Sequence, residues 1–252
     1  MIQLIPLVRY EKKKAQLLSS IKKGVPFQLK KKTSNLFRER WNVKSGMDVK
    51  EFNKVLSIDE NTMLCEVEGM ITYDDFVRTI LPFGYLPTVV PQLKSITVGG
   101  ALTGLGIESS SFRYGLVHET IEEIEVLLAS GRVVTCTPKN KFKDLFFAFP
   151  NSYGTLGYAL KIKVKVVKAK PFVKIEHKQC LSAADFFEEI AATCKRDDVD
   201  YVDGSIFSRK KFFLYFFCCF IFMQIGRISA DEFIIFWRVY RIVEKNIFFV
   251  NI

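Results

Sequence analysis

Four glycines at positions 99, 100, 104 and 106 fall within the single stretch Thr97-Val-Gly-Gly-Ala-Leu-Thr-Gly-Leu-Gly-Ile-Glu-Ser109, and no other feature constrains this chain as strongly. Such density has two physical uses. Glycine lets two backbones pack with no side chain between them, and it lets a backbone approach a ligand closely or reach positive φ, so that successive N–H groups face phosphate oxygens. A tight packing turn suits the first use and a dinucleotide pyrophosphate the second; the run by itself leaves both open. No Gly-Lys-Ser/Thr closes it, which excludes a Walker loop, and it does not open the first strand–helix turn, which excludes a Rossmann fingerprint. Hydroxyls surround the glycines at Thr97, Thr103, Ser109, Ser110 and Ser111, and Asn151-Ser-Tyr-Gly-Thr-Leu-Gly157 repeats the pattern of small polar residues with glycine. Groups of this kind bond uncharged cofactor edges and phosphates without importing an unpaired charge.

Around this segment the periodicity predicts two small α+β lobes. Ala15, Leu17, Leu18 and Ile21 follow helical spacing, an amphipathic helix ending at Gly24 and Pro26 with its lysines on a solvated face. Phe27 to Leu29 reads as a short strand, and Val55–Ile58 and Met63–Val67 as a hairpin around Asp59-Glu60-Asn61. Thr72 with Asp75 forms a capping box that opens a helix stopping at Pro82 and Gly84. Beyond the glycines, Ile121–Leu128 and Arg132–Thr137 read as a second hairpin, and Asp144–Phe149 as a short helix broken by Asn151 to Gly154. From Tyr158 to Val166 apolar residues alternate with Ala159, Lys161, Lys163 and Lys165, a half-buried strand whose lysine ladder reads as an edge or surface device against sheet-to-sheet pairing. The expected divisions are an entry helix over 1–26, a first lobe over 27–90, a second over 91–170, the start of a further domain over 171–207, and an atypical tail over 208–252.

Composition narrows the function classes. The excess of 37 Lys+Arg over 27 Asp+Glu could serve a nucleic acid, but the basic residues are scattered and lack the interleaved aromatics that stack bases, so no nucleic-acid partner is expected. The six cysteines show no C-x-x-C spacing and have only His118 and His177 to join them, so no metal site is expected. Met1 to Val8 is too short an apolar stretch for a secretory leader, and the thiols read as reduced and intracellular.

The stretch Pro91 to Gly115 resembles the FAD loop of the FAD-linked oxidases of the p-cresol methylhydroxylase and vanillyl-alcohol oxidase type. Within them, Gly106-Ile-Glu-Ser-Ser-Ser111 is similar to the Diminuto-like delta(24)-sterol reductase branch. Lys32-Thr-Ser-Asn-Leu-Phe-Arg38 and Asn151 to Gly157 agree with that branch, so the similarity runs from about Tyr10 to Phe207. The resemblance implies an α+β fold of two lobes clasping an extended FAD. It assigns the cofactor cradle to Thr97, Val98, Gly99, Gly100, Ala101, Leu102, Thr103, Gly104, Leu105, Gly106, Ile107, Glu108 and Ser109, the phosphate-side loop to Thr33, Ser34 and Asn35, and the flavin region to Gly154, Thr155 and Gly157. Many relatives attach FAD through a His or Cys, but Lys30 to Arg38 and Pro91 to Gly115 contain neither, so noncovalent FAD is expected. The implied activity is an oxidoreductase reducing a carbon–carbon double bond of a sterol-like lipid, with NADPH refilling the flavin and a location in the cytoplasm or at a membrane such as the endoplasmic reticulum. No catalytic residue is assigned: Glu108 and Tyr114 lie near the flavin loop by resemblance and are read first as hydrogen-bonding supports. His118 is read as structural.

After Phe207 the resemblance ends, and the substrate domain that completes the family's chains is expected to be largely missing. Ten of the 24 Phe fall between Phe212 and Phe249, and Phe212 to Met223 is one apolar run with basic flanks. It is shorter than the roughly 20 residues that span a bilayer. Three readings stand for it: a gene-model artefact, an interfacial membrane anchor, or a buried helix. A non-catalytic FAD-binding fragment or membrane-associated interaction protein is the alternative to the enzyme.

Overall fold

A computed structural model describes residues 1–21, 29–30, 47–170, 172–208 and 211–220. Thr33, Ser34 and Asn35, with Gly24, Pro26 and Phe27, lie outside the described residues. In chain order the elements are β1 (Ile2–Gln3), α1 (Leu7–Ser19), β2 (Leu29–Lys30), β3 (Met47–Asp48), β4 (Val55–Asp59), β5 (Leu64–Glu68), α2 (Tyr73–Ile80), β6 (Tyr85–Pro87), α3 (Val98–Gly104), α4 (Ser111–Tyr114), β7 (Ile121–Leu127), β8 (Val133–Cys136), α5 (Lys143–Ala148), β9 (Tyr158–Lys168), β10 (Phe172–Cys180), α6 (Ala183–Thr193), β11 (Tyr201–Ser208) and β12 (Lys211–Phe220). Helices and antiparallel strands mix along the chain, an α+β fold. Two compact units result: Met1–Glu108 with Tyr114–Val167, and Ser109–Arg113 with the residues from Lys168 on.

The first unit is built on a seven-stranded sheet in the order β1-β4-β5-β9-β7-β8, with β6 also paired to β9, beside a parallel pair of β2 and β3. Tyr158, Leu160, Ile162, Val164 and Val166 of β9 are buried, as their alternation requires. The lysine ladder, however, is no edge device. β9 lies between β5 and β7, so Lys163 stands opposite both Glu66 and Glu123. Its Nζ is 3.5 Å from Glu66 and 3.4 Å from Glu123, while Lys165 reaches Glu122 at 2.9 Å and Lys161 reaches Glu66 at 3.6 Å. Opposite charges across strands stabilise a sheet by about 0.2–1 kcal/mol per pair, and here they specify register because a one-residue slip would bring the apolar set opposite the carboxylates.

Helix α1 also departs from expectation. It ends at Ser19, five residues short of Gly24, because the hydroxyls of Ser19 and Ser20 donate to the carbonyls of Gln16 (2.8 Å) and Leu17 (2.6 Å) and compete with the helical ladder. Tyr10 and Leu17 are buried among Val49, Phe52, Leu56, Leu127, Tyr158 and Leu160. Its basic face is not simply solvated. Lys13 pairs with the fully buried Glu68 and donates to the Glu51 carbonyl at 2.8 Å, while Lys14 bridges Glu11 at 2.8 Å and Glu125 at 3.2 Å. The Tyr10 hydroxyl donates to the same Glu125 oxygen at 2.5 Å. Burial pushes the Glu68 carboxyl above the ordinary range, and Lys13 and the backbone N–H groups at its oxygens pull it back.

The predicted cap of α2 is present: Thr72 Oγ1 accepts from the Asp75 N–H at 3.1 Å and donates to the Asp75 carboxylate at 2.8 Å. Pro82 is accommodated in a single 3-10 turn, and the chain leaves it at Gly84 with φ of 83°. Replacing Thr72 with alanine should lower stability by about 1 kcal/mol in denaturant unfolding, since one N-terminal amide loses its acceptor. An unchanged midpoint would show the cap to be dispensable.

In the second unit β12 is the middle strand of three, antiparallel to β10 on one side and β11 on the other. Phe212 is in register with Cys180 and Phe220 with Phe172. The buried-helix reading of the Phe-rich run is therefore overturned over Phe212–Phe220: aromatic residues favour the pleated conformation, and two flanking strands satisfy the backbone. Helix α6 is capped by Ser182, whose hydroxyl accepts from the Asp185 N–H at 3.1 Å. It lays Phe186 over Gly204, where a Cβ would meet the ring at 2.5 Å. Arg113 Nη2 donates to the carbonyls of Arg196 (3.0 Å) and Val199 (2.7 Å), tying α4 to the turn that follows α6. Among the described residues, no helix is long and apolar enough to cross a membrane.

Candidate functional site

Helix α3 is made from the glycine segment itself. Thr97 Oγ1 caps it by accepting from the Gly100 N–H at 3.1 Å, and Thr103 Oγ1 donates back to the Gly99 carbonyl at 2.9 Å. The Val98 N–H donates to the Ile71 carbonyl and the Gly99 N–H to the Gly69 carbonyl, both at 2.9 Å. The first three amides of α3 thus already have acceptors within the protein, and this helix start is not an open nest for phosphate.

The glycines are there chiefly for close approach. A Cβ on Gly99 would lie 2.7 Å from the Gly69 carbonyl oxygen, one on Gly69 would overlap the Ala159 carbonyl, and one on Gly157 would lie 2.7 Å from the Leu127 carbonyl. Three backbones, at the end of β5, the start of α3 and the start of β9, therefore meet with no side chain between them. Gly104 and Gly154 are different: among the described residues nothing stands within 4 Å of either Cβ position, and Gly154 has φ of 83°. Both readings of the run are thus represented, packing at Gly99 and open space at Gly104.

The second polar glycine motif comes to the same place. The Tyr153 N–H donates to the Thr103 carbonyl at 3.0 Å, fastening the Asn151–Gly157 loop to the end of α3. Between them lies a cavity of about 330 Å³ walled by Thr97, Gly99, Gly100, Thr103, Tyr153, Gly154, Gly157, Tyr158, Ala159, Gly69, Met70 and Leu29. That is the lower end of the size range of small-molecule sites, room for one part of an extended dinucleotide. Among the described residues the wall carries no lysine or arginine. The Tyr158 hydroxyl is buried without a hydrogen-bond partner among the described residues, and burial with the nearby Glu68 carboxylate pushes its pKa far above the ordinary phenol value.

Of the residues expected from the sequence, Thr97, Gly99, Gly100, Thr103, Gly154 and Gly157 line this cavity. Val98, Ala101 and Leu102 are buried on the other side of α3, in the core. Gly104, Leu105, Gly106, Ile107, Glu108, Ser109 and Thr155 are not part of its wall. Thr155 Oγ1 donates to the Ser152 carbonyl at 2.7 Å, Glu108 accepts from the Gln92 N–H at 3.1 Å, and the Ser109 carbonyl accepts from the Val202 N–H at 2.8 Å. Tyr114 borders a separate, more open cavity of about 370 Å³ with Thr88, Glu122 and Lys165. His118 Nδ1 is buried without a partner among the described residues, which also contain no metal-holding cluster of His, Cys, Asp and Glu. Gly69, Met70, Tyr158 and Ala159 were missed. A glycine closing the strand Leu64–Glu68 is a signal of close backbone approach that would have found the first.

The geometry can be set beside known proteins. Residues 15–137 match the FAD binding domain family. The chain is 37% identical over 132 residues to a delta(24)-sterol reductase of Pisum sativum, covering 52% of this chain and 23% of that protein. It is 32% identical over 154 residues to the delta(24)-sterol reductase of Homo sapiens, covering 61% and 30%. Similarity to cytokinin dehydrogenase 3 of Arabidopsis thaliana is lower, 26% over 152 residues, covering 60% and 29%. The chain thus spans less than a third of the length of these curated relatives. Over residues 15–137 the chain is thus similar to FAD binding domains, and the relatives it resembles over about half of its length include delta(24)-sterol reductases.

Proposed function

We propose that this chain binds FAD noncovalently and serves as the flavin domain of an oxidoreductase that reduces a carbon–carbon double bond of a sterol-like lipid. The observation that carries the proposal is the cavity in which both polar glycine motifs, far apart in sequence, form one wall. Its composition fits the group: close-packed glycines, threonine hydroxyls and one buried hydroxyl in need of an acceptor. Leu29 from the parallel pair also lines the cavity, in keeping with a cofactor held between parts of the chain distant in sequence.

When bound, FAD would carry the hydride, drawn from NADPH, that adds to one carbon of the double bond while a proton adds to the other. This chain's residues would hold and orient it and keep water from it. Thr97 and Thr103 offer hydroxyls at the wall, and Met70 and Ala159 give an apolar surface. Thr33 to Asn35, Gly104 to Ser109 and Thr155 complete the proposed set. The cysteines support noncovalent attachment, because the thiolate is the nucleophile: burial raises the Cys65 thiol and pushes Cys136 up to about 11, so both stay protonated. Association with a lipid surface, as at the endoplasmic reticulum, belongs to the same proposal through its substrate.

The test is the absorbance spectrum of the purified chain with added FAD. A flavin band that stays with the protein through gel filtration and is released on denaturation is expected. Protein that remains colourless overturns the proposal. Bleaching by NADPH and turnover of an unsaturated sterol test the enzymatic part, and a yellow chain that shows neither is the second reading, FAD binding without catalysis.

A further inference from the structure

In the first unit the lysines of α1 and β9 are neutralised: Lys13, Lys14, Lys161, Lys163 and Lys165 each stand against a glutamate. A second group of cations is arranged differently. Arg132, Lys139, Lys141 and Lys143 are all exposed, at the rim of the sheet where β8 is the last strand. Asp144 is the one acidic residue between Ala129 and Ile175. Asn140 fixes the corner: its Oδ1 accepts from the Phe142 N–H at 2.9 Å and the Thr137 N–H at 3.3 Å, and its Nδ2 donates to the Thr135 carbonyl at 2.7 Å. This turn brings Phe142 beneath two cations, with Arg132 Cζ 5.9 Å and Lys141 Nζ 5.2 Å from its ring centre. Phe147 follows Lys143 by four residues, on the same face of α5, and is 65% exposed.

Four exposed cations beside one exposed ring narrow the choice of partner. A single-stranded nucleic acid is held by a succession of rings on which its bases stack, and Phe147 alone does not make one. An anionic bilayer surface meets both halves of the arrangement, since its headgroups face the cations and its headgroup–acyl boundary receives the ring. We infer that the corner formed by Arg132, Lys139, Lys141, Lys143 and Phe147 is a docking surface for an anionic lipid membrane, on which the chain lies without crossing it. This surface gives the lipid association of the proposed function its place in the fold, and depends on that association but not on bound flavin.

Sedimentation of the full chain with vesicles tests this, using phosphatidylcholine alone and an equal mixture of phosphatidylcholine and phosphatidylserine. The parent should partition onto the mixed vesicles and not onto phosphatidylcholine. Each cation near an anionic surface contributes about fivefold, so Lys139→Gln, Lys141→Gln and Lys143→Gln combined should weaken partitioning about a hundredfold. Lys12→Gln, Lys50→Gln and Lys195→Gln remove the same charge from exposed positions elsewhere and should weaken it by less than about tenfold. Phe147→Ser should weaken it about tenfold, a loss that persists in high salt. All these side chains are exposed, so the variants should melt with the parent. Equal losses in the two triple variants overturn the inference, because net charge alone then decides. Undiminished partitioning of the first triple variant overturns it in favour of another surface. A Phe147→Ser protein that partitions like the parent overturns it too, leaving a polyanion surface that retention of a single-stranded oligonucleotide would reveal. If the parent does not partition onto the mixed vesicles, this inference and the lipid association fall together, while a flavin band on the same protein keeps FAD binding standing.

Discussion

Gly69→Ala is expected to lower stability by about 3 kcal/mol, at the upper end for forcing one methyl into a packed interior. The methyl would overlap the Ala159 carbonyl, and Gly69 cannot retreat because its own carbonyl accepts from the Gly99 N–H at 2.9 Å and its N–H donates to the Leu160 carbonyl at 3.0 Å. Relief requires moving β5 away from β9, and α3 with it. For a chain of this size the melting temperature should fall by roughly 6–12 °C. Gly104→Ala is the control: no described residue lies within 4 Å of its Cβ position, and alanine is the better helix former. If both substitutions melt with the parent, the three-backbone contact does not hold the site together.

Lys13→Met should destabilise the chain in a strongly pH-dependent way. Glu68 is fully buried, and its folded carboxyl is already shifted upward with Lys13 opposing the shift. Between the unfolded pKa of about 4.3 and the raised folded value, the native chain binds more protons than the unfolded one, so stability falls as pH rises through that window. Removing Lys13 widens the window upward. Below it the carboxyl is neutral in both states, and the variant loses only packing on Phe52 and the bond to Glu51. Above it a buried charge is left without its cation, and the deficit should grow to about 3 kcal/mol near pH 8. Urea unfolding of both proteins from pH 4 to pH 8 measures this, and a difference that does not change with pH would mean that Glu68 is not the group responsible.

Local signals proved readable where the chain's own chemistry decides the outcome. The Thr72 cap needs only a hydroxyl three residues ahead of an amide, and the Ile121–Leu128 and Arg132–Thr137 hairpin needs only its turn and two β-rich arms. The alternation from Tyr158 to Val166 named five buried residues of β9 and missed Ala159, which it set with the outward lysines and the fold buries. It could not say what flanks the strand, so lysines suited to an edge turned out to lie between Glu66 and Glu123. Helix α1 shows the same limit: its lysines have a solvated look in sequence, and the buried carboxylates they meet are 55 and 111 residues away, at Glu68 and Glu125. The Phe-rich run was ambiguous because twelve apolar residues carry no period, and only pairing with β10 and β11 resolved it as a strand.

The glycine segment divides the same way. Its spacing, its hydroxyls and its echo at Asn151–Gly157 were enough to point to a shared location and to a likeness with FAD-linked oxidases. Which glycines serve packing and which face space was decided by tertiary structure, since Gly99 is constrained by Gly69 and Gly157 by Leu127, partners that no local pattern names. The Tyr158 hydroxyl belongs to that second class too. In sequence it is one apolar position of an alternating strand, and only the fold buries its oxygen beside a glycine at a cavity wall.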